Sequence, residues 1–239
     1  MDREDDGGVL DAVFVHGAGA GGWEWAIWQR VFTARGWNAL GPDLVAADDI
    51  ARTRIEDYQA QVRDWCKARA APHVLIGASL GGLLALSVAA QVRPAALVLI
   101  NPLPPAGIAP HGIRTDYPDV VPWGRRRSLA GTRASLPDAD DAACLHAFRR
   151  WRDESGAVLR TAALGVTAPP PRCAVLVVAS ACDTDVAPVV SRAVAEQLGA
   201  ELRLLHDASH VGALLGRGAA DAAAGAAKWC AATAMRQSI

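Results

Sequence analysis

His73-Val74-Leu75-Ile76-Gly77-Ala78-Ser79-Leu80-Gly81-Gly82-Leu83-Leu84-Ala85-Leu86-Ser87-Val88-Ala89-Ala90 joins two apolar runs through a G-x-S-x-G pentapeptide. A buried strand that turns through Gly77-Ala78-Ser79-Leu80-Gly81 into a buried helix is the setting of a nucleophile elbow. Such a turn strains the serine backbone and brings the flanking chains so close that only glycine fits two residues to either side. It also lifts the hydroxyl clear of the sheet, beside a helix N-terminus that favours developing negative charge. The pattern is short, so its surroundings must carry the assignment.

Outward from the elbow, strand and helix signals alternate. Strands are expected over residues 9–15, 37–44, 73–78, 95–100, 172–179 and 201–206, and helices over 23–35, 53–70, 80–92, 188–198 and 213–235. Apolar strands alternating with helices imply an α/β fold, a mostly parallel sheet of about six strands with helices on both faces. No strand signal precedes Val9, so the sheet is expected to be a minimal one. One interval breaks the alternation. Ten of the fourteen prolines fall between Pro102 and Pro171, where there is no strand signal and one helix is expected, over 140–154. The chain is thus expected to divide into a core (1–103 and 172–239) and a lid insertion (104–171), on the side where ligands bind in open α/β sheets.

A serine nucleophile needs a base, a group that orients the base, and donors for the oxyanion. One donor is the N–H of Leu80 in the elbow. The other is assigned to the N–H of Ala18, in the glycine-rich loop His16-Gly17-Ala18-Gly19-Ala20-Gly21-Gly22 that follows the first strand. That loop superficially resembles a nucleotide-binding G-x-G-x-x-G, with Asp43 where a ribose ligand could sit, but this leaves the elbow unexplained. In this architecture the acid follows a late strand and the histidine the last one. Asp183 in Ser180-Ala181-Cys182-Asp183-Thr184-Asp185-Val186 is the favoured acid, and Asp185 is the runner-up, its other role being to cap the helix that begins near Pro188. His210 in His206-Asp207-Ala208-Ser209-His210 is the favoured base, with His206 the alternative.

The chain resembles an α/β-hydrolase over nearly its whole length. Its first half is most similar to the methylesterase and hydroxynitrile lyase-like branch and its bacterial relatives. The resemblance rests on His16-Gly17-Ala18, Gly21-Gly22-Trp23-Glu24-Trp25, Ala34-Arg35-Gly36-Trp37, Pro42-Asp43-Leu44, the elbow and Pro102-Leu103-Pro104-Pro105-Ala106-Gly107. Relatives usually carry a histidine where Ala78 stands, and a glycine where Ser209 precedes the histidine. The resemblance implies a serine rather than an aspartate nucleophile, which sets the chain apart from dehalogenases and epoxide hydrolases. Lyases of the branch typically have a threonine at Gly17 and a lysine at Val211; the lysines here are Lys67 and Lys228, on expected surface helices. Hydrolysis of a carboxylic ester with a small to medium acyl group, such as a methyl ester or thioester, is therefore expected. The alternatives are a cofactor-free non-hydrolytic enzyme (lyase, perhydrolase or oxygenase-like) and a non-catalytic ligand-binding relative.

Composition narrows the remaining classes. A hydrophobic fraction of 51% with 21% charged residues is that of a globular protein. The net charge of -1 gives no reason to expect nucleic acid or an anionic membrane as partner. Five dispersed cysteines without a C-x-x-C pair, after an acidic start, point to reduced thiols in the cytoplasm. The six histidines lack metal-ligand spacing, so no zinc site is expected, and ester hydrolysis by a serine, histidine and aspartate requires neither metal nor cofactor. A small-molecule ester is the expected partner, and a monomer or homodimer the expected state. Arg125-Arg126-Arg127 is expected to be a solvated charge run, Cys182 a small buried filler, and the tryptophans packing residues.

Overall fold

The computed structural model describes residues 10–69 and 73–237. In chain order its elements are β1 (Asp11–Val15), α1 (Ala26–Thr33), β2 (Asn38–Leu40), α2 (Ile55–Lys67), β3 (His73–Ala78), α3 (Leu80–Val92) and β4 (Ala96–Ile100). After these come β5 (Val120–Val121), α4 (Leu129–Ser135), α5 (Asp141–Phe148), β6 (Glu154–Ser155) and α6 (Gly156–Leu164). The chain closes with β7 (Ala174–Ser180), α7 (Pro188–Leu198), β8 (Glu201–Leu205), α8 (Gly212–Leu215) and α9 (Ala219–Gln237). Six strands form one sheet in the order β2-β1-β3-β4-β7-β8, with every neighbouring pair parallel. From β1 the chain crosses to β2 on one side and returns to β3 on the other. The crevice outside the carboxyl ends of β1 and β3 is thus the switch point where α/β sheets bind ligands.

Alternation along the central strands splits the core in two. Val13, Val15, Leu75, Leu97, Leu99, Val175 and Val177 face α2, α3, α6 and α7. Ala12, Phe14, Val74, Ile76, Val98, Ile100, Leu176 and Val178 face α1, α8 and α9, with Trp25, Trp28 and Phe32 as the bulkiest fillers. Both faces being covered is why these strands carry continuous apolar runs instead of an apolar–polar alternation. Helix α3 is buried from Leu80 to Ala89, which matches its unbroken apolar sequence.

Several boundaries differ from expectation. The helix expected over 23–35 is a 3₁₀ turn (Gly22–Trp25) followed by α1, and the strand expected over 37–44 stops at Leu40 before Pro42. The last helix is broken at Gly216 and Gly218, so α8 and α9 replace one continuous helix. Val9 and Ala70 lie outside the described residues. The largest correction falls between β4 and β7. That segment carries three helices, and the short antiparallel ladder β5–β6 pairs Val120 with Ser155 and Val121 with Glu154. The helix expected over 140–154 ends at Phe148, because Arg152 and Glu154 bond to the loop after β1 instead of continuing the helix. Among the described residues no helix is long and apolar enough to cross a membrane.

Trp28 is fully buried and its indole N–H donates to the Ala213 carbonyl at 2.9 Å, tying α1 to α8. Trp28→Ala is expected to lower stability by ~3–5 kcal/mol, from lost burial and the cavity left behind. A urea titration checks this, and a drop in midpoint with unchanged slope is the expected outcome.

Candidate active site

Ser79 stands between β3 and α3 with φ 53 and ψ -119, a conformation that costs a non-glycine residue about 1–3 kcal/mol. The neighbouring backbones hold it there. Its N–H donates to Ile100 O at 2.9 Å, and its carbonyl accepts from Gly82, Leu83 and Leu103. A Cβ on Gly77 would lie 2.2 Å from Gly81 O, and one on Gly81 would lie 2.1 Å from Val15 O. The elbow therefore admits only glycine at both places, as its sequence implied.

The loop after β1 runs alongside. A Cβ on Gly17 would sit 3.5 Å from Ser79 Cβ, so this loop and the elbow are in contact. His16 is buried, its Nδ1–H donates to Gly17 O at 2.8 Å, and its Nε2 accepts from the Leu44 N–H at 2.8 Å. Burial pushes its pKa down to about 4, so it remains neutral and serves as a strut. Gly17 N–H donates to Glu24 and Gly19 N–H to Glu154. Between them, the Ala18 N–H has no acceptor among the described residues, and neither has the Leu80 N–H at the start of α3.

The loops after β7 and β8 bring Asp183 and His210 together. His210 Nδ1 lies 2.7 Å from Asp183 Oδ2, while Asp183 Oδ1 accepts the Asp185 and Val186 N–H groups at 2.8 Å each. The Asp183 side chain is fully buried. Burial works to discharge the His210 imidazolium, but the bond and charge of Asp183, with Asp185 and Glu24 beyond, outweigh it and raise the pKa above the usual 6.5. Asp185 is exposed and hydrogen-bonds through its N–H, and His206 is exposed at the outer end of β8. Neither joins this pair. No hydrogen bond links His210 to Ser79 among the described residues.

Four residues that the sequence reading passed over hold these loops. Arg152 N–H donates to Gly19 O at 2.7 Å, and its guanidinium reaches Ala20 O, Leu44 O, Asp43 and His16. Glu154 Oε2 accepts from Gly19 N–H at 3.0 Å, and Oε1 from the Tyr58 hydroxyl at 2.9 Å and Ser155 N–H at 2.8 Å. Asn101, at φ 43, donates to His210 O at 2.8 Å and bonds both the hydroxyl and the N–H of Ser180. Asp138 accepts from Ser209 Oγ at 2.6 Å and Ser209 N–H at 3.1 Å. A glycine at Ser209 would forgo that hydroxyl bond. Of the four, Asn101 offered the clearest signal, a lone polar residue directly after an apolar strand.

Other candidates resolve plainly. Asp43 accepts from Gly22 N–H and pairs with Arg152, so its carboxylate is already engaged. Cys182 is exposed, contrary to the buried role expected, because it lies beyond the end of β7 with Sγ 3.4 Å from His206 O. Arg125 pairs with Asp153, and Arg127 bonds Gly124 O above the Phe148 ring. Among the described residues no cluster of three His, Cys, Asp or Glu side chains could hold a metal ion.

A six-stranded parallel sheet with this elbow at its centre is the α/β-hydrolase fold. The alpha/beta hydrolase family model matches residues 12–224, and the chain belongs to that family. A search of curated proteins finds no match. Solved structures with the same fold include the pyrethroid hydrolase PytH (19% identity, TM-score 0.70, covering 95% of this chain and 99% of that one). They also include the methylesterase MES16 from Arabidopsis (17%, 0.72, 90% and 96%). A third is tomato methylketone synthase I complexed with beta-ketoheptanoate (12%, 0.73, 95% and 99%).

Glu154→Ala would orphan the Gly19, Ser155 and Tyr58 donors at once. It is expected to cost about 3 kcal/mol or more, since each buried unsatisfied donor costs about 1–3 kcal/mol. Chemical denaturation measures the loss, and Tyr58→Phe, which removes one donor only, should fall well short of it.

Proposed function

We propose that the protein hydrolyses a carboxylic ester through an acyl-enzyme on Ser79. The observation that carries this is the buried Asp183–His210 hydrogen bond of 2.7 Å beside a strained serine elbow. With Nδ1–H bonded to Asp183, the Nε2 lone pair of His210 is left to take the Ser79 proton. Ser79 Oγ then attacks the ester carbonyl, and the Ala18 and Leu80 N–H groups stabilise the oxyanion that forms. Neither N–H has to break an internal bond to do so. The imidazolium passes its proton to the leaving alcohol, and water deacylates the serine by the reverse relay. Asp183 keeps the tautomer and offsets the imidazolium charge.

Residues 104–171 serve in this reading as a lid that shapes a pocket for a small to medium acyl group, of a methyl ester or thioester. Solved structures of the same fold named as esterases and pyrethroid hydrolases agree with ester chemistry. All five cysteines are unpaired, in keeping with a cytoplasmic enzyme.

A fluorophosphonate probe should label Ser79, and Ser79→Ala should abolish both labelling and p-nitrophenyl acetate turnover. Unlabelled, inactive wild-type protein refutes the proposal; retained turnover in Ser79→Ala favours non-hydrolytic chemistry. Asp183→Asn should lower kcat by roughly 10⁴-fold through loss of the productive tautomer. Because the active base is neutral His210, kcat/KM should fall as pH drops through its pKa, with the acid-limb midpoint above 6.5. A pH–rate profile measures that midpoint.

A further inference from the structure

Asn101 is the first residue beyond β4, is buried at 1% exposure, and is used by no step above. In the sheet order β4 stands between β3, which leads into Ser79, and the pair β7 and β8, whose loops carry Asp183 and His210. A residue at its carboxyl end is therefore placed between the nucleophile and its relay. The chain on either side of Asn101 already grips the nucleophile. Ile100 O accepts the Ser79 N–H at 2.9 Å, and the Leu103 N–H donates to Ser79 O at 3.1 Å.

The side chain engages the relay. Its Nδ2 donates to His210 O at 2.8 Å and to Ser180 Oγ at 2.9 Å, and its Oδ1 accepts the Ser180 N–H at 2.7 Å. Ser180 in turn opens the bend that presents the acid, since its carbonyl accepts the Asp183 N–H at 3.3 Å. Asp183 then holds the His210 imidazole at 2.7 Å. The bonds close a ring: Asn101 fixes the main chain of His210, Asp183 fixes its imidazole, and both restraints trace back to one amide. A primary amide supplies two donors and an acceptor on a short stem, which no other side chain of this size offers. Asn101 also has φ 43, a left-handed conformation that asparagine, aspartate and glycine adopt more readily than other residues. Its own N–H donates to Val178 O at 2.9 Å and extends the β4–β7 ladder by one bond.

We infer that Asn101 is a positioning residue of the ester-cleaving site, which sets where Asp183 and His210 stand relative to Ser79. Its effect on turnover rests on the proposed hydrolysis, whereas its restraint on the Asp183–His210 pair does not. Proton transfer from Ser79 requires the imidazole to stand within hydrogen-bond reach of the hydroxyl. Without the amide, the His210 carbonyl and the Ser180 N–H lose their partner, and the loops after β7 and β8 lose their link to the end of β4. Asn101 thus acts through the groups it holds and not on the reacting atoms.

Two variants of the full chain test this. Asn101→Gly keeps the left-handed backbone without strain and removes every side-chain bond. Asn101→Asp keeps the backbone and the acceptor for the Ser180 N–H, but sets an oxygen where His210 O needs a donor. Both are compared with wild type where urea titration shows them folded. The readouts are p-nitrophenyl acetate kinetics and the low-field Nδ1–H resonance of His210 in NMR, which marks its bond to Asp183. Asn101→Gly should lose kcat on the order of 10²-fold, the penalty of a misplacement of about 1 Å. KM should change little, as for an interaction that matters in the transition state, and the Nδ1–H resonance should broaden or vanish. Asn101→Asp should change both readouts in the same direction. A folded Asn101→Gly with wild-type kcat overturns the inference, whatever its loss of stability. Should that variant not fold, Asn101→Asp decides by the same criterion. Wild-type protein that neither turns over the ester nor takes a fluorophosphonate refutes the hydrolysis, and the resonance then decides alone. Retained unchanged in Asn101→Gly, it overturns the inference; broadened or lost, it leaves the positioning role standing.

Discussion

Three backbones cross at the elbow with no room for a side chain. The end of β1, the turn after β3 and the first turn of α3 approach so closely that a methyl group on Gly77 or Gly81 would lie about 2 Å from a carbonyl oxygen. The rest of the structure depends on this crossing. It holds Ser79 at positive φ, and Ser79 in turn anchors to Ile100 at the end of β4 and to Leu103 just after it. It also sets the depth at which the glycine loop passes the serine. The two free N–H groups, on different elements, thereby owe their placement to one steric constraint. The sheet supplies the rigidity, and strain at a single residue is the cost.

How much of this was legible in the chain follows from how local each signal is. β3, α3 and α7 were legible to the residue, because apolar runs bounded by glycine or proline carry both periodicity and punctuation. That Asp183 and His210 would meet was legible because each lies in the loop after a late strand, where side chains converge at the carboxyl edge. Between β4 and β7 the reading failed. There the ladder is two residues long, and Glu154 and Arg152 hold conformations set by partners more than a hundred residues away. No local propensity encodes such bonds. Glu24 was passed over for a related reason. An acidic residue between two tryptophans looks like an exposed position on a helix, and only the 3₁₀ turn directs it inward beneath Gly17.

The electrostatic contrast among the buried groups has one origin in two forms. His16, Glu24 and His210 are all withdrawn from water, which disfavours charge on each. His16 has only backbone partners and a nearby cation, so it stays neutral. His210 has a buried carboxylate bonded to it and further carboxylates beyond, and together they reverse the sign. Glu24 falls between them, with an amide for a partner and no cation of its own.

The segment between β4 and β7 is tied to both sides of the site: Glu154 and Arg152 grip the loop after β1, and Asp138 grips Ser209 beside His210. An insertion joined to its core only at its two ends could be replaced by a graft without disturbing the neighbouring loops. Here such a graft would take with it the acceptors for Gly19 and Ser209 N–H groups and the guanidinium that spans Ala20 and Leu44. The inserted segment and the loops it grips must therefore change in concert, and a transplanted insert would need its own acids in place of Glu154 and Asp138.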